Sequence, residues 1–345
     1  MYESKREEQL LAYCKASGLD RDKVYHFSAS DLIKPPRMKV LAKRHIGEMV
    51  KDVSQEVFRL LGQAIHYMLR EAAIRGRLDQ LGYKAEERLF THLEVDGRTV
   101  VVSGEPDIVG PDNRIQDYKV TAVYSWTKGP KKEWEFQTNV YAFLRTCKGL
   151  VNQGIDICFI LRDWNLNETV QEGYPQAGAM MAEIPLGDMV KVRDWIVERV
   201  KLHFQTEPQW DDELPECTGY AEDPTNGGEM WEKPEAYAII REGGKVASKV
   251  LTPKHCTPKE GQSLPDALRE EAFAKAAEWN QKPAIVKGKE KPYEVHHRPG
   301  ERTRCLRFCD VRQFCNSYKE YVSATMRGPW VDRRAGPTEN VSSVE

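Results

Sequence analysis

Two short stretches hold the residues best suited to chemistry: Gly104-Glu105-Pro106-Asp107 and Asp117-Tyr118-Lys119, whose aspartate lies ten residues beyond Asp107. Side chains two apart on a strand point the same way, so Asp117 and Lys119 share a face, and a neighbouring strand brings Asp107 to them. Two carboxylates in one patch suit a hard cation such as Mg²⁺ or Mn²⁺. Such an ion lowers the pKa of a bound water, offsets charge on a pentavalent phosphate and aligns attacker with scissile bond. Lys119 then orients or helps deprotonate that water, or counters the developing charge. For a bare D-x-K, a surface ion pair with Asp107 as an ordinary turn residue is the alternative. Glu105 is a further candidate behind the site, with Pro106 disturbing the strand alternation between it and Asp107.

The elements that must carry these residues are legible from periodicity. From Gln55 to Ala73, Val57, Leu60, Leu61, Ala64, Ile65, Met68, Leu69 and Ala72 recur at helical spacing. Strands follow on either side of the Asp96-Gly97 hairpin signal, Tyr83 to Glu94 and Thr99 to Val102. Beyond the turn Gly110-Pro111-Asp112-Asn113, Arg114 to Thr121 reads as a third strand of the same sheet. Glu133 to Arg145 reads as a helix, Ile155 to Leu161 as a largely buried strand, and about Gly187 to Phe204 as a second amphipathic helix. This order predicts an α/β (α+β) protein, a central mixed sheet flanked by helices.

Further along, Gln205 to Glu235 carries a net charge of -9 and reads as an exposed crossing segment. Ala236 to Leu251 reads as a hairpin turning at Gly243-Gly244, Ser263 to Trp279 as a helix, and Lys287 to Arg307 has a net charge of +4. The expected organisation is an N-terminal helical segment over 1–54, a core bearing the two acidic motifs over 55–206, an acidic linker over 207–235, a cysteine-bearing extension over 236–325 and a flexible tail over 326–345.

The order of the motifs resembles a known family. Gly62-Gln63-Ala64-Ile65-His66, Pro106-Asp107, Asp117-Tyr118-Lys119 and Gln137-Thr138-Asn139-Val140-Tyr141 are similar to the successive motifs of the RecB-like branch of the PD-(D/E)XK nucleases, nearest to the CRISPR-associated RecB-like exonucleases. The resemblance runs from about Ser28 to Leu161 and resumes at the C-terminal cysteines. It implies a restriction-endonuclease-like core, with His66, Asp107, Asp117 and the Tyr118 backbone carbonyl as metal ligands and Lys119 as the catalytic lysine. Gln137 and Tyr141, i and i+4 on one helix face, would contact DNA or brace the site. Apart from the resemblance, His66 reads as a core histidine, and Gln137 and Tyr141 as surface residues.

Cys305, Cys309 and Cys315 form a C-x3-C-x5-C run. Thiolates so close suit a soft centre, either zinc or an iron-sulfur cluster, whereas buried or free thiols in a small helix need no metal. The resemblance implies a [4Fe-4S] cluster completed by an N-terminal cysteine in a segment like Ser28 to Arg37, where this chain has Pro35. Cys217 is the preferred fourth ligand, ahead of Cys256, His255, His296 and Cys14. Cys147 and Cys158 read as core residues.

Composition bounds the function classes. The chain has 345 residues, 51 Lys+Arg against 53 Asp+Glu and a net charge of -2, so no global basic excess announces nucleic acid. Phosphate-facing charge must come from local groups: Lys39, Lys43 and Arg44; Lys128, Lys131 and Lys132; Arg298, Arg302, Arg304 and Arg307. No apolar run suits a membrane helix, and the polar opening MYESKREEQL is unlike a signal peptide, so a cytoplasmic protein is expected. The functional expectation is a metal-dependent DNA nuclease, an exonuclease on single strands or ends, acting with DNA and with recombination or replication proteins. A non-catalytic DNA-binding scaffold subunit and an RNA-directed or structure-specific endonuclease are the rivals.

Overall fold

In a computed structural model, which describes residues 2–49, 53–218, 228–244, 246–281, 284–286 and 289–325, the chain divides into two units, Met1–Pro215 and Glu216–Glu345. The helices of the first unit are Tyr2–Ala16 (α1), Ala29–Leu32 (α2), Pro36–Arg44 (α3), Val53–Arg75 (α4), Val123–Lys128 (α5), Lys132–Cys147 (α6) and Met189–Thr206 (α7). Its strands are Tyr25–Ser28 (β1), Lys84–Ala85 (β2), Leu89–Val95 (β3), Arg98–Gly104 (β4), Ile108–Val109 (β5), Arg114–Thr121 (β6), Gly154–Leu161 (β7) and Ala179–Ile184 (β8). The architecture is mixed α/β (α+β), with mixed sheets and packed helices.

The β3–β4 hairpin turns where the sequence predicts, with Asp96 and Gly97 at φ of 50° and 71°, the left-handed pair a tight hairpin requires. β6, however, does not join that hairpin. The strands form two ladders, β1-β4-β3 and β2-β5-β6-β7-β8. The break falls at Glu105-Pro106-Asp107, where Pro106 has no N–H to give to a ladder. The Asp107 carbonyl instead accepts from the Glu86 N–H at 3.1 Å, and β5 then pairs antiparallel with β6. β6 and β7 are parallel, Asp117 opposite Ile157 and Lys119 opposite Phe159, so the chain between them must cross over, and α6 is that crossover.

The core lies between the sheets and the helices α6 and α7. Val100, Val102, Ile115, Ile155, Ile157 and Phe159 meet Val140, Leu144, Ile196 and Val200 there. Arg199 of α7 is buried and donates to the carbonyls of Leu32 at 2.9 Å and Lys34 at 2.8 Å, satisfying acceptors at and beyond the end of the short α2. Cys147 is exposed at the end of α6, not in the core, whereas Cys14 is buried. The stripe of α4 is also less covered than an amphipathic helix on a sheet should be, since Val57, Leu60, Leu61 and Met68 remain exposed.

In the second unit, Glu232–Lys233 (β9), Ala236–Arg241 (β10), Ala247–Leu251 (β11), Leu264–Asn280 (α8), Ala284–Val286 (β12), Lys289–Lys291 (β13), Tyr293–Arg298 (β14), Glu301–Arg302 (β15), Thr303–Arg307 (α9) and Asn316–Thr325 (α10) follow in order. The predicted β10–β11 hairpin is joined by β14, and α8 packs Leu268, Ala272 and Ala276 against Tyr237, Ile239 and Leu251. The acidic stretch is not exposed throughout, because Leu214, Glu229 and Met230 are buried. Residues 219–227 of that stretch, and the expected tail over 326–345, lie outside the described residues.

A half-buried histidine and a buried one give the first unit an acid-sensitive stability. Burial, then the nearby Arg6, lowers His26 to about 4, and burial, then Lys39 and Arg199, lowers His203 to about 3, with Asp31 opposing both. Both folded values lie below the unfolded value of 6.5, so below that pH the unfolded chain takes up protons that the folded chain refuses. This stability is complete above pH 6.5 and is lost as pH falls towards 4 and then 3, at up to about 1.4 kcal/mol per unit and histidine. Thermal melts of His203→Gln across this range are expected to show a shallower pH slope than wild type.

Candidate active site

β6 presents Asp117 and Lys119 on one side, as the two-residue repeat requires, with Ile115, Asp117 and Thr121 buried along it. Lys119 Nζ lies 2.6 Å from Asp117 Oδ2 and donates to Gln137 Oε1 at 3.0 Å. Gln137 Nε2 in turn donates to Tyr141 Oη at 2.7 Å. One helical turn separates Gln137 from Tyr141, so α6 delivers both to the lysine from one face.

Asp107 comes from the break between β4 and β5. Its Oδ2 accepts from the Tyr118 N–H at 2.7 Å, and its Oδ1 lies 3.0 Å from Nδ1 of His66 on α4. The His66 ring meets Tyr118 edge-on at 6.2 Å. The structure thus gathers His66, Asp107, Asp117, Tyr118, Lys119, Gln137 and Tyr141, drawn from two helices and two strand ends. Glu105 stands apart, its carboxylate paired with the nearly buried Arg88.

Burial raises the Asp117 carboxyl above the ordinary carboxylate range and the Asp107 charge raises it further, while Lys119 opposes both. Asp117 Oδ2 is buried, and the Lys119 ammonium lies against it. His66 is raised, the hydrogen bond to Asp107 outweighing burial. Burial lifts the Tyr141 hydroxyl well above 10, and the two aspartates add to this.

Three contributors escape a reading of the sequence. Glu86 lines a small cavity with His66, Arg70, Asp107 and Tyr118; burial raises its carboxyl, and Arg70 pairs with it at 3.1 Å. It sits in the charged run Lys84 to Arg88, which reads as surface, and its only local peculiarity is a φ of 47°. Trp134 faces Lys119 Nζ at 6.0 Å, one turn before Gln137. Gly104 is the third: a Cβ there would lie 2.6 Å from Tyr141 Cδ1 and 2.8 Å from Leu144 Cδ1.

Most of the expected phosphate-facing cations are engaged within the fold. Lys43 pairs with Glu207 at 2.5 Å and Arg44 with Asp211 at 2.5 Å, while Lys39 lies over the Phe27 ring at 3.9 Å. Lys132 pairs with Glu135 at 2.8 Å, Arg302 with Glu216 at 3.7 Å, and Arg307 with Glu301 at 3.6 Å. Arg304 stacks on Trp231 at 4.8 Å. Lys128 lies over the Tyr124 ring at 5.7 Å, and Lys131 at 5.4 Å over the Trp134 ring that also faces Lys119.

In the second unit, Cys217, Cys305, Cys309 and Cys315 are electrostatic neighbours. Burial lifts the Cys217 thiol, and Glu229 and the other three cysteines raise it further. Burial pushes Cys309 up to about 11, with Cys305 and Cys315 adding to it. Among the described residues, no group of three or more His, Cys, Asp or Glu side chains is placed so that it could hold a metal ion. No described helix is long and apolar enough to cross a membrane.

No known protein family matches the chain, and no curated protein does. Two solved structures are similar to it at low scores. One, described as the crystal structure of SSO0001, is 16% identical and aligns over 61% of this chain and 86% of its own, with a TM-score of 0.39. The other, LHK-Exo in complex with dAMP, is 15% identical over 52% of this chain and 92% of its own, with a TM-score of 0.27. The functional argument therefore rests on the geometry.

Gly104→Ala is expected to destabilise the first unit by about 1–3 kcal/mol in urea denaturation, because the added methyl must displace the buried Tyr141 ring. A variant as stable as wild type would show that the ring is free to yield.

Proposed function

We propose that the protein is a metal-dependent deoxyribonuclease that hydrolyses phosphodiester bonds, acting as an exonuclease on single-stranded DNA or DNA ends in replication, recombination or DNA processing. The observation that carries this reading is the convergence of Asp107, Asp117 and Lys119, with Lys119 held between Asp117 Oδ2 and Gln137 Oε1. A structural ion pair would not explain the rest. Two carboxylates share one partly buried place, and burial and like charge raise one of them.

This donor set fits a hard divalent cation, Mg²⁺ or Mn²⁺, with Asp107, Asp117, His66 and the Tyr118 carbonyl as its holders. When bound, such a cation supplies a lowered water pKa and compensation for phosphate charge. The chain's own groups supply the rest. Lys119 orients the attacking water and offsets charge as the phosphate becomes pentavalent. Gln137 fixes the ammonium through its Oε1, and the buried Tyr141 hydroxyl fixes the Gln137 amide, which supports a bracing role for that pair over DNA contact.

Wild type incubated with labelled DNA and Mg²⁺ or Mn²⁺ is expected to degrade linear single strands or duplex ends and to spare end-blocked circles. Asp117→Ala and Lys119→Met are each expected to lose about 10²-fold or more in rate. Undiminished cleavage by Asp117→Ala would remove the nuclease reading and leave a DNA-binding scaffold.

The second unit is proposed to hold a [4Fe-4S] cluster on Cys217, Cys305, Cys309 and Cys315, with zinc as the alternative. Support comes from the soft donor set and from the raising of the partly buried Cys217, Cys305 and Cys309 thiols, by burial first and then by their cysteine neighbours. The role is structural, since metal binding there is folding free energy for a small, loop-rich unit. Anaerobically purified protein is expected to be brown and to contain iron and sulfide, and Cys217→Ala to lose both. Colourless protein with stoichiometric zinc would reassign the metal.

A further inference from the structure

Within the first unit, helix α4 carries a largely exposed apolar face. Val57, Leu60, Leu61, Ala64, Tyr67 and Met68 recur at steps of one and three residues. Val57, Leu60, Tyr67 and Met68 are 51, 49, 61 and 66% exposed. Of the described α4 side chains, Ala73 alone is buried. At about 100° per residue this stripe lies across the helix axis from His66, so it is not an extension of the candidate active site. With Ile74, also exposed, it presents roughly 700 Å² of surface, more than the largest apolar patch of a typical monomer and close to one side of a standard protein interface.

The charges beside the stripe select the class of occupant. DNA or an anionic membrane calls for a basic rim, but the α4 charges are of both signs and paired: Glu71 with Arg75 beside the stripe, Glu56 with Arg59 near the helix start, and Arg70 with Glu86. A protein surface fits that chemistry.

We infer that the occupant is α4 of a second copy of this chain, packed antiparallel across a two-fold axis. When the helix is laid on itself with the axis between Ile65 and His66, Val57 stands opposite Ile74 and Ala64 opposite Tyr67, small against large. Leu60 stands opposite the aliphatic stem of Glu71. These positions repeat at the 3-4 spacing of an antiparallel helix seam. The contact uses the same patch on both copies, so it closes on itself as a dimer. His66 lies off the seam, so both candidate active sites stay open. The inference does not depend on the nuclease reading.

Sedimentation velocity of the full chain, from nanomolar to tens of micromolar, is expected to show a monomer–dimer equilibrium. Tyr67→Lys and Ala64→Glu are each expected to raise the dimer dissociation constant at least a hundredfold without changing far-ultraviolet circular dichroism. Mixing the two variants is expected to restore dimers, because one seam layer then pairs a lysine with a glutamate. A wild type that is monomeric throughout, or a dimer that survives both substitutions, would overturn the inference. Failure of the mixture to restore dimers would also overturn it.

Discussion

A carboxylate buried beside another carboxylate is stable only if positive charge stands against it, and Lys119 supplies that charge to Asp117. The ion pair is more than a local contact, since each partner is placed by a different part of the fold. Asp117 is held down by its position on the inward side of a central strand, and Lys119 by a glutamine that reaches across from the crossover helix. Without that placement the raised Asp117 carboxyl would be an uncompensated cost. With it, charge of both signs is concentrated in one partly buried place.

The second acid depends on a defect in the sheet. Pro106 ends the ladder of β4, and the chain turns to begin β5, so Asp107 points towards the Tyr118 N–H of a strand with which β4 does not pair. The same region meets α6 closely enough that Gly104 has no room for a Cβ. That contact seats Tyr141, which seats Gln137, which seats the lysine. The site is thus braced by packing and by a short hydrogen-bond relay, so that its geometry is paid for by the folding of the whole first unit.

Charge on the surface is distributed differently from charge at the site. Lys43 and Arg44, well placed in the sequence to meet a phosphate backbone, close onto the acidic start of the segment after α7 and tie it to α3. The acidic stretch therefore serves in part as a partner for these cations. Near the site itself, Lys131 lies over the Trp134 ring that faces Lys119.

The sequence by itself determined the local terms. The periods of two and 3.6 located β6, β7, α6, α7 and α8 to within a few residues. The Asp96-Gly97 dipeptide set the hairpin, and the same-side placement of Asp117 and Lys119 followed from strand geometry alone. Motif order also brought His66, Asp107, Gln137 and Tyr141 into consideration before any contact was known. Only the tertiary structure decided which ladder β6 joined, that Arg88 neutralises Glu105, that Glu86 faces the same cavity as His66, and that Cys147 is exposed while Leu214 is buried. Those outcomes depend on residues far apart in the chain, whose partners are chosen by packing and desolvation, and no local pattern of residue types encodes that choice.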